Sequence, residues 1–381
     1  MPLDHSWGME NQYATVDIRE KIGYLTGLIN PQAIADIFQR FTACPLSVSF
    51  IQKTGNAIGK AMEKRNSQIV EEAHKSETSL PEGTKTIAVG LDGVNIMLRE
   101  KGTTQRRPRT RPGHDDPCEH GKSCYKNAGV AVISLYGDVP DNAAKPKSKS
   151  KSKHDSKSPK RLKSLYLART PEERMKKLKS ELETEVKHLM KIAPDTIRKV
   201  ILMDGARGLW KYVTMDGGLF KNWIHIIDFH HACDTLSKLA ESLFGKDSAK
   251  GKEWYRQYRL VLLDQKNGVR KLIRSIDYYI SKLPDGKAKR KKSLRGFFAR
   301  NVSRMNYAEY RRLGLPIGSG PVEAGCKTIV KARLCCSGMR WTRARAQHVL
   351  RIRTMIKNKR WDTAWNQCKY ATACPKNVAT N

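Results

Sequence analysis

Two short apolar runs, TIAVGLDG (residues 86–93) and KVILMDG (199–205), each stop at an aspartate followed by glycine. Such runs, rich in β-branched residues and lacking polar alternation, read as strands buried on both faces, which demands a sheet covered by helices. A third run, WIHIIDF (223–229), follows the second after one helical segment, the spacing of a parallel βαβ pair. TKTIAVGLD and VNIMLRE can join as one long strand, and with AGVAVISLYG and KSLYLAR they predict three antiparallel strands ahead of the helix PEERMKKLKSELETEVKHLMKI. The expected fold class is therefore α/β, a mixed sheet with flanking helices.

Two other regions read as helical. In residues 1–80 the spacing of Ile22, Leu25, Ile29 and of Ala33, Ile34, Ile37, Phe38 predicts helices, and the order helix, short helix, turn at Pro45, third helix resembles a helix-turn-helix. This region carries eight basic and nine acidic residues, so packing or dimerisation is as open a role for it as groove reading. Residues 229–316 predict consecutive helices, with Val269, Leu272, Ile276, Ile280 and Leu283 on one stripe, inserted between the last strand and the closing helices of 317–365. The sheet-bearing segment is then 84–228, and 366–381 form a tail. Within it, KPKSKSKSKHDSKSPKR (145–161) is a Lys/Ser segment that cannot bury a core and is expected to be a mobile loop.

Charge narrows the partners. Seventy-two basic against 37 acidic residues leave +35, a field that points to double-stranded DNA or another phosphate polymer. No run of about 18 apolar residues predicts a membrane span. MPLDHSWGMENQ lacks the basic and apolar regions of a secretory signal, so a cytoplasmic, nucleoid-associated protein is expected, and the nine irregularly spaced cysteines read as reduced thiols. His114, Cys118, His120 and Cys124 are zinc-type ligands, but their spacing matches no finger pattern and an exposed loop is the expectation.

Asp-Gly after an apolar run is also the usual hairpin signal, and either aspartate alone would read as a turn residue. Asp92 and Asp204 gain meaning together with Glu323, which opens a basic helix in LPIGSGPVEAGCKTIVKARL. Three carboxylates from two strand ends and a closing helix suit Mg²⁺, or Mn²⁺ in its place, for phosphodiester chemistry. Gly318, Ser319, Gly320 and Pro321 read as a flexible entry to that helix, a geometry that also lets backbone approach a phosphate. From Lys327 to Arg360 there are eleven basic residues and no acidic one. Ala346, Val349, Ile352 and Ile356 are expected to face the core there, with Arg333, Arg340, Arg343, Arg345, Arg351 and Lys357 on the DNA side. A second basic cluster, Lys289, Arg290, Lys291 and Lys292, is expected to hold DNA over the site. Trp341 reads either as a core residue or as a stacking platform for an extruded nucleotide.

LPIGSGPVEAGCKTIVKARLCCSGMRW followed by WDTAW, with the two Asp-Gly strand ends, closely resembles bacterial insertion-sequence transposases of the ISKra type, a branch of the DDE transposases related to Mutator-like elements. The resemblance runs from about Leu3 to Trp365. It implies an RNase H-like catalytic domain interrupted by a helical insertion, Asp92, Asp204 and Glu323 as a DDE triad, and a homo-oligomer working on DNA. Relatives of this type carry sequence ahead of the segment resembling PLDHSWGM, whereas here the chain begins almost at that point. A Cys or Asp two residues short of a His past the second aspartate marks the wider group, and Asp228-Phe-His-His231 fits it. Asp228 reads equally well as the N-cap of the helix that starts at Phe229. Two other functions stay open: a domesticated or decayed DNA-binding protein without catalysis, and an RNase H-like nuclease without strand transfer.

Overall fold

The computed structural model describes residues 14–99, 124–140, 158–282 and 285–371, with backbone alone at 124 and 285–291. A mixed five-stranded sheet organises the chain, in the order β3-β2-β1-β4-β5. The two apolar runs upstream do join, as the single strand β1 (Thr86–Leu98), which pairs antiparallel with β2 (Cys124–Tyr136), itself antiparallel to β3 (Arg161–Arg169). On the other side of β1 the direction reverses: β4 (Arg198–Met203) and β5 (Ile224–Ile227) run parallel to it.

Helices cover both faces, which is why the central strands lack alternation. The amphipathic α5 (Lys176–Ile192) buries Leu178, Leu182, Val186 and Leu189 against the sheet. The same core takes in the helices after β5: α7 (Phe229–Phe244), α8 (Ala249–Asp264), α9 (Gly268–Ser281), α10 (Asp285–Arg300) and α11 (Tyr307–Arg312). Here α6 is the short helix between β4 and β5 (Arg207–Val213). The opposite face of β1 and β2 is covered by α12 (Gly320–Gly325), its π-helical continuation Cys326–Lys331, and α13 (Arg343–Lys357).

The N-terminal helices α1 (Val16–Leu28), α2 (Pro31–Phe41), α3 (Val48–Lys64) and α4 (Asn66–Ser76) start at side-chain caps where the sequence offers them: Thr15, Asn30 and Ser47 each accept a backbone N–H. Ile58, Met62 and Ile69 of this block share a core with Ile352 and Met355 of α13 and with Trp361 and Trp365 of α14 (Trp361–Cys368). Buried arginines tie the same faces together. Arg353 donates to the carbonyls of Gly27, Thr328 and Ile329, the last two within the π-helical turn, whose altered ladder leaves carbonyls to be satisfied. No helix among the described residues is long and apolar enough to cross a membrane.

Candidate active site

Asp92 and Asp204 lie side by side because of register. The last hydrogen-bonded pair of the parallel strands β1 and β4 is Val89↔Ile201, and each aspartate stands three residues further on (89 + 3 and 201 + 3). Neighbouring strands are about 4.8 Å apart and equal steps leave side chains on the same face, so the two carboxylates meet where β1 and β4 part.

Asp92 is half-buried opposite Val130, and its Oδ1 accepts the Gly93 N–H at 2.7 Å. Burial raises its pKa above the ordinary value; the Gly93 N–H opposes this, and the nearby Asp204 charge adds to the rise. His231 is close enough for its charge to favour the Asp92 carboxylate. Asp204 Oδ1 accepts the Ala206 N–H at 2.9 Å and its carbonyl accepts the Trp210 indole N–H at 2.6 Å, which fixes the turn into α6. That turn passes under Phe297, where a Cβ at Gly205 would come within 2.5 Å of the ring.

The helix bearing Glu323 reaches the sheet through glycine. A Cβ on Gly325 would stand 2.9 Å from Val132, and one on Gly90 would stand 3.1 Å from the Leu202 carbonyl and 3.2 Å from Val322. This close approach puts Cys326 against Asp92, its thiol 3.5 Å from Oδ2. Burial, then the charge of Asp92, pushes the thiol up to about 12, so it stays protonated and donates to the carboxylate. Glu323, one turn earlier, is half-exposed and pairs with Lys327 at 3.9 Å. Among the described residues no group of three or more His, Cys, Asp or Glu side chains is placed to hold a metal ion. The structure thus brings Asp92 and Asp204 together, adds Cys326 and His231, and leaves Glu323 turned aside.

Asp228 is buried and caps α7, accepting the His231 N–H at 2.6 Å, and its other oxygen accepts the Ser319 N–H. Phe229 donates to the Ile317 carbonyl at 2.9 Å. Asp228 therefore fastens the IGSG segment, and with it α12, to the end of β5. The sequence offered this N-cap; the second bond to Ser319 and the thiol of Cys326 had no local signal beyond the latter's position three residues after Glu323.

No protein-family model matches the chain, and no curated protein sequence does. Among solved structures, a Drosophila P element transposase strand transfer complex is similar at 10% sequence identity and a TM-score of 0.29, over 98% of this chain and 85% of that one. Similarity at that level bears on neither fold nor chemistry, and the site stands on its own residues.

The basic C-terminal segment divides in two. Arg340, Arg343, Arg345 and Lys357 are exposed, as is Lys292 on α10. Arg333 and Arg351 are not on a DNA side: their exposures are 2% and 3%. Arg333 donates to the Thr26 carbonyl, and burial, then the charge of Arg353, lowers it to about 10. Arg351 is bound to Glu63 and Glu181. Trp341 is half-buried, with the Arg333 guanidinium 5.1 Å from its ring. The side chains of Lys289, Arg290 and Lys291, residues 145–157 of the Lys/Ser segment, and the zinc-type residues His114, Cys118 and His120 lie outside the described residues; Cys124 contributes only its backbone, as the first residue of β2.

Proposed function

We propose that this protein is a DDE-type DNA transposase, cutting phosphodiester bonds and transferring strands at the ends of an insertion sequence. One observation carries the reading: two aspartates on adjacent parallel strands, one with its pKa raised by burial and by the other's charge. Among the described residues no Lys or Arg pairs with either aspartate, and carboxylates crowded in this way suit a cation from outside. The sheet order β3-β2-β1-β4-β5, with the first three strands antiparallel and the last two parallel to β1, supports an RNase H-like core.

The donors are hard oxygens, a set that fits Mg²⁺ or Mn²⁺, and a cation between them would offset the burial and, after it, the Asp204 charge that raise the Asp92 pKa. When bound, such ions lower the pKa of an attacking water or 3′-hydroxyl and offset charge on the leaving oxygen. Asp92 and Asp204 would hold the cation, with the Gly93 and Ala206 N–H groups fixing which oxygens face it. Glu323 would complete the set by rotating away from Lys327, since it shares a helix face with Cys326, which already touches Asp92. Asp228 holds α12 in place, and the exposed Arg340, Arg343, Arg345 and Lys292 would supply phosphate contacts for a homo-oligomer on duplex DNA.

A second reading, a DNA-binding relative without catalysis, is favoured by Glu323 standing with Lys327 instead of the aspartates. Strand cleavage and joining on element-end duplexes separate the two. Asp92→Asn, Asp204→Asn and Glu323→Gln should each abolish cleavage and joining while DNA binding survives, with Mg²⁺ or Mn²⁺ active and Ca²⁺ nearly inactive. Cleavage by Glu323→Gln near the wild-type rate would remove that residue from the site. Cleavage without joining by the unmodified protein would leave a nuclease.

A further inference from the structure

The sheet does not reach Asp204. Strand β4 ends at Met203, and its last pairings are Val89↔Ile201 on one side and Met203↔Ile227 on the other. What fixes the aspartate beyond its own turn comes from the helices that follow β5. Phe297, near the end of α10, lays its ring on Gly205, so that a Cβ there would stand 2.5 Å from Phe297 Cε2. Arg304 closes the short 3-10 turn Val302–Arg304 and places its guanidinium 4.2 Å from the centre of the Trp210 ring, within the range of cation–π attraction. The Trp210 indole N–H in turn donates to the Asp204 carbonyl at 2.6 Å. One contact therefore bears on the residue after Asp204, and the other on the ring that grips Asp204 itself.

A single buried side chain joins the two contacts. The Asn301 amide nitrogen donates to the Phe297 carbonyl at 2.8 Å, and its amide oxygen accepts from Arg304 Nη1 at 3.1 Å. Phe297, Asn301 and Arg304 thus form one unit, whose members cannot shift separately without breaking a buried hydrogen bond. The Phe297 ring also lies 5.9 Å from the ring of His231, which stands near Asp92. The unit therefore touches the surroundings of both aspartates.

We infer that Phe297 and Arg304, joined by Asn301, are positioning residues: they set where the Asp204 carboxylate stands opposite Asp92, and with it the affinity of the pair for a divalent cation. The inference rests on the reading of that pair as a cation site. It assigns the helices after β5 a part in the chemistry that is separate from any contact they make with DNA. Groups that orient a metal ligand from behind change metal affinity by roughly ten- to hundredfold when they are removed, and that is the effect expected here.

The test is Mn²⁺ binding to the full-length protein without DNA, followed by the electron paramagnetic resonance signal of the free ion, which reads affinity and not activity. Arg304→Met keeps the bulk of the side chain and removes its charge, and Phe297→Leu keeps an apolar side chain and removes the ring. Each should weaken, by roughly tenfold or more, the Mn²⁺ binding that Asp92→Asn abolishes. Arg304→Lys, which keeps a cation over the indole, should bind within a few-fold of the unmodified protein. Ser275→Ala is the control: it removes the partner of the Trp254 indole elsewhere among these helices and should leave Mn²⁺ affinity unchanged. Unchanged affinity in both Arg304→Met and Phe297→Leu, each folded by circular dichroism, would overturn the inference and leave the cation site standing. An equal loss in Ser275→Ala would assign the effect to general loosening of these helices and overturn it too. If the unmodified protein holds no Mn²⁺ that Asp92→Asn removes, the inference and the cation site fall together.

Discussion

Where the N-terminal helices, α5 and α13 meet, four inward-facing glutamates are each paired with an arginine. Glu63 and Glu181 share Arg169 and Arg351 at 2.6–2.8 Å, and Glu77 and Glu185 share Arg360 at 2.8 and 2.5 Å. At the edge between β1 and β4 the reverse holds: Asp92 is surrounded by a second carboxylate, a thiol and a histidine. Burial acts on both regions in the same direction, but the outcomes differ. Burial alone would raise the Glu185 pKa, yet hydrogen bonds from His74 and Arg360 hold it at about 2, whereas the Asp92 pKa ends above its ordinary value. Charge balanced inside the fold belongs to structure; the acidic pair between β1 and β4 is where we propose that a cation binds.

The strongest way to break the structural cluster is Arg360→Met, which leaves Glu77 with Lys163 alone and Glu185 with His74 alone and should destabilise the protein by about 3–5 kcal/mol in urea unfolding. Acid probes the same cluster without a mutation. Because the folded pKa of Glu185 is depressed, its contribution is complete above the unfolded value of 4.5 and is lost as the pH falls toward about 2. Stability measured across that window should fall by roughly 3 kcal/mol, taking 1.36 kcal/mol per pKa unit, and Glu185→Gln should flatten the decline. Gly325→Ala acts on the other region. It forces α12 away from Val132, should cost about 1–3 kcal/mol, and should impair cleavage more than DNA binding because Cys326 and Glu323 move with the helix. The smallest effect belongs to a pair outside both clusters: Asp17→Asn removes the exposed Lys21 ion pair on α1 and should change stability by less than about 1 kcal/mol.

The strands were more legible in the sequence than the contacts of the charged residues around them. Strands buried on both faces leave continuous apolar runs, so β1 and β4 could be read directly, but Asp92 is not at a strand end as expected: β1 continues past it to Leu98, and only its pairing with β4 stops short of Asp92. The fate of the arginines could not. The apolar positions of α13 did face inward, with Ala346, Val349 and Ile352 all buried, but Arg351 and Arg353 are buried beside them. What draws them in is remote in sequence: Glu63 and Glu181 for Arg351, and the carbonyls of Gly27 and of a π-helical turn for Arg353. A charge run shows that a helix is basic, not which of its charges meet a carboxylate hundreds of residues away. Glu323 differs, since Lys327 lies four residues further along the same helix and the pair is one that spacing alone allows.

The contrast between the two regions is tested most directly by the thermal melting of Asp92→Asn and Asp204→Asn beside the unmodified protein, with and without Mg²⁺. Without the cation, both variants should melt close to the unmodified protein, because the repulsion each removes offsets the weaker hydrogen-bond acceptor it leaves. Mg²⁺ should raise the melting temperature of the unmodified protein and of neither variant, since a ligand stabilises only the fold that binds it. Variants that melt well below the unmodified protein, or that gain as much from Mg²⁺, would contradict the account and make the aspartate pair part of the scaffold.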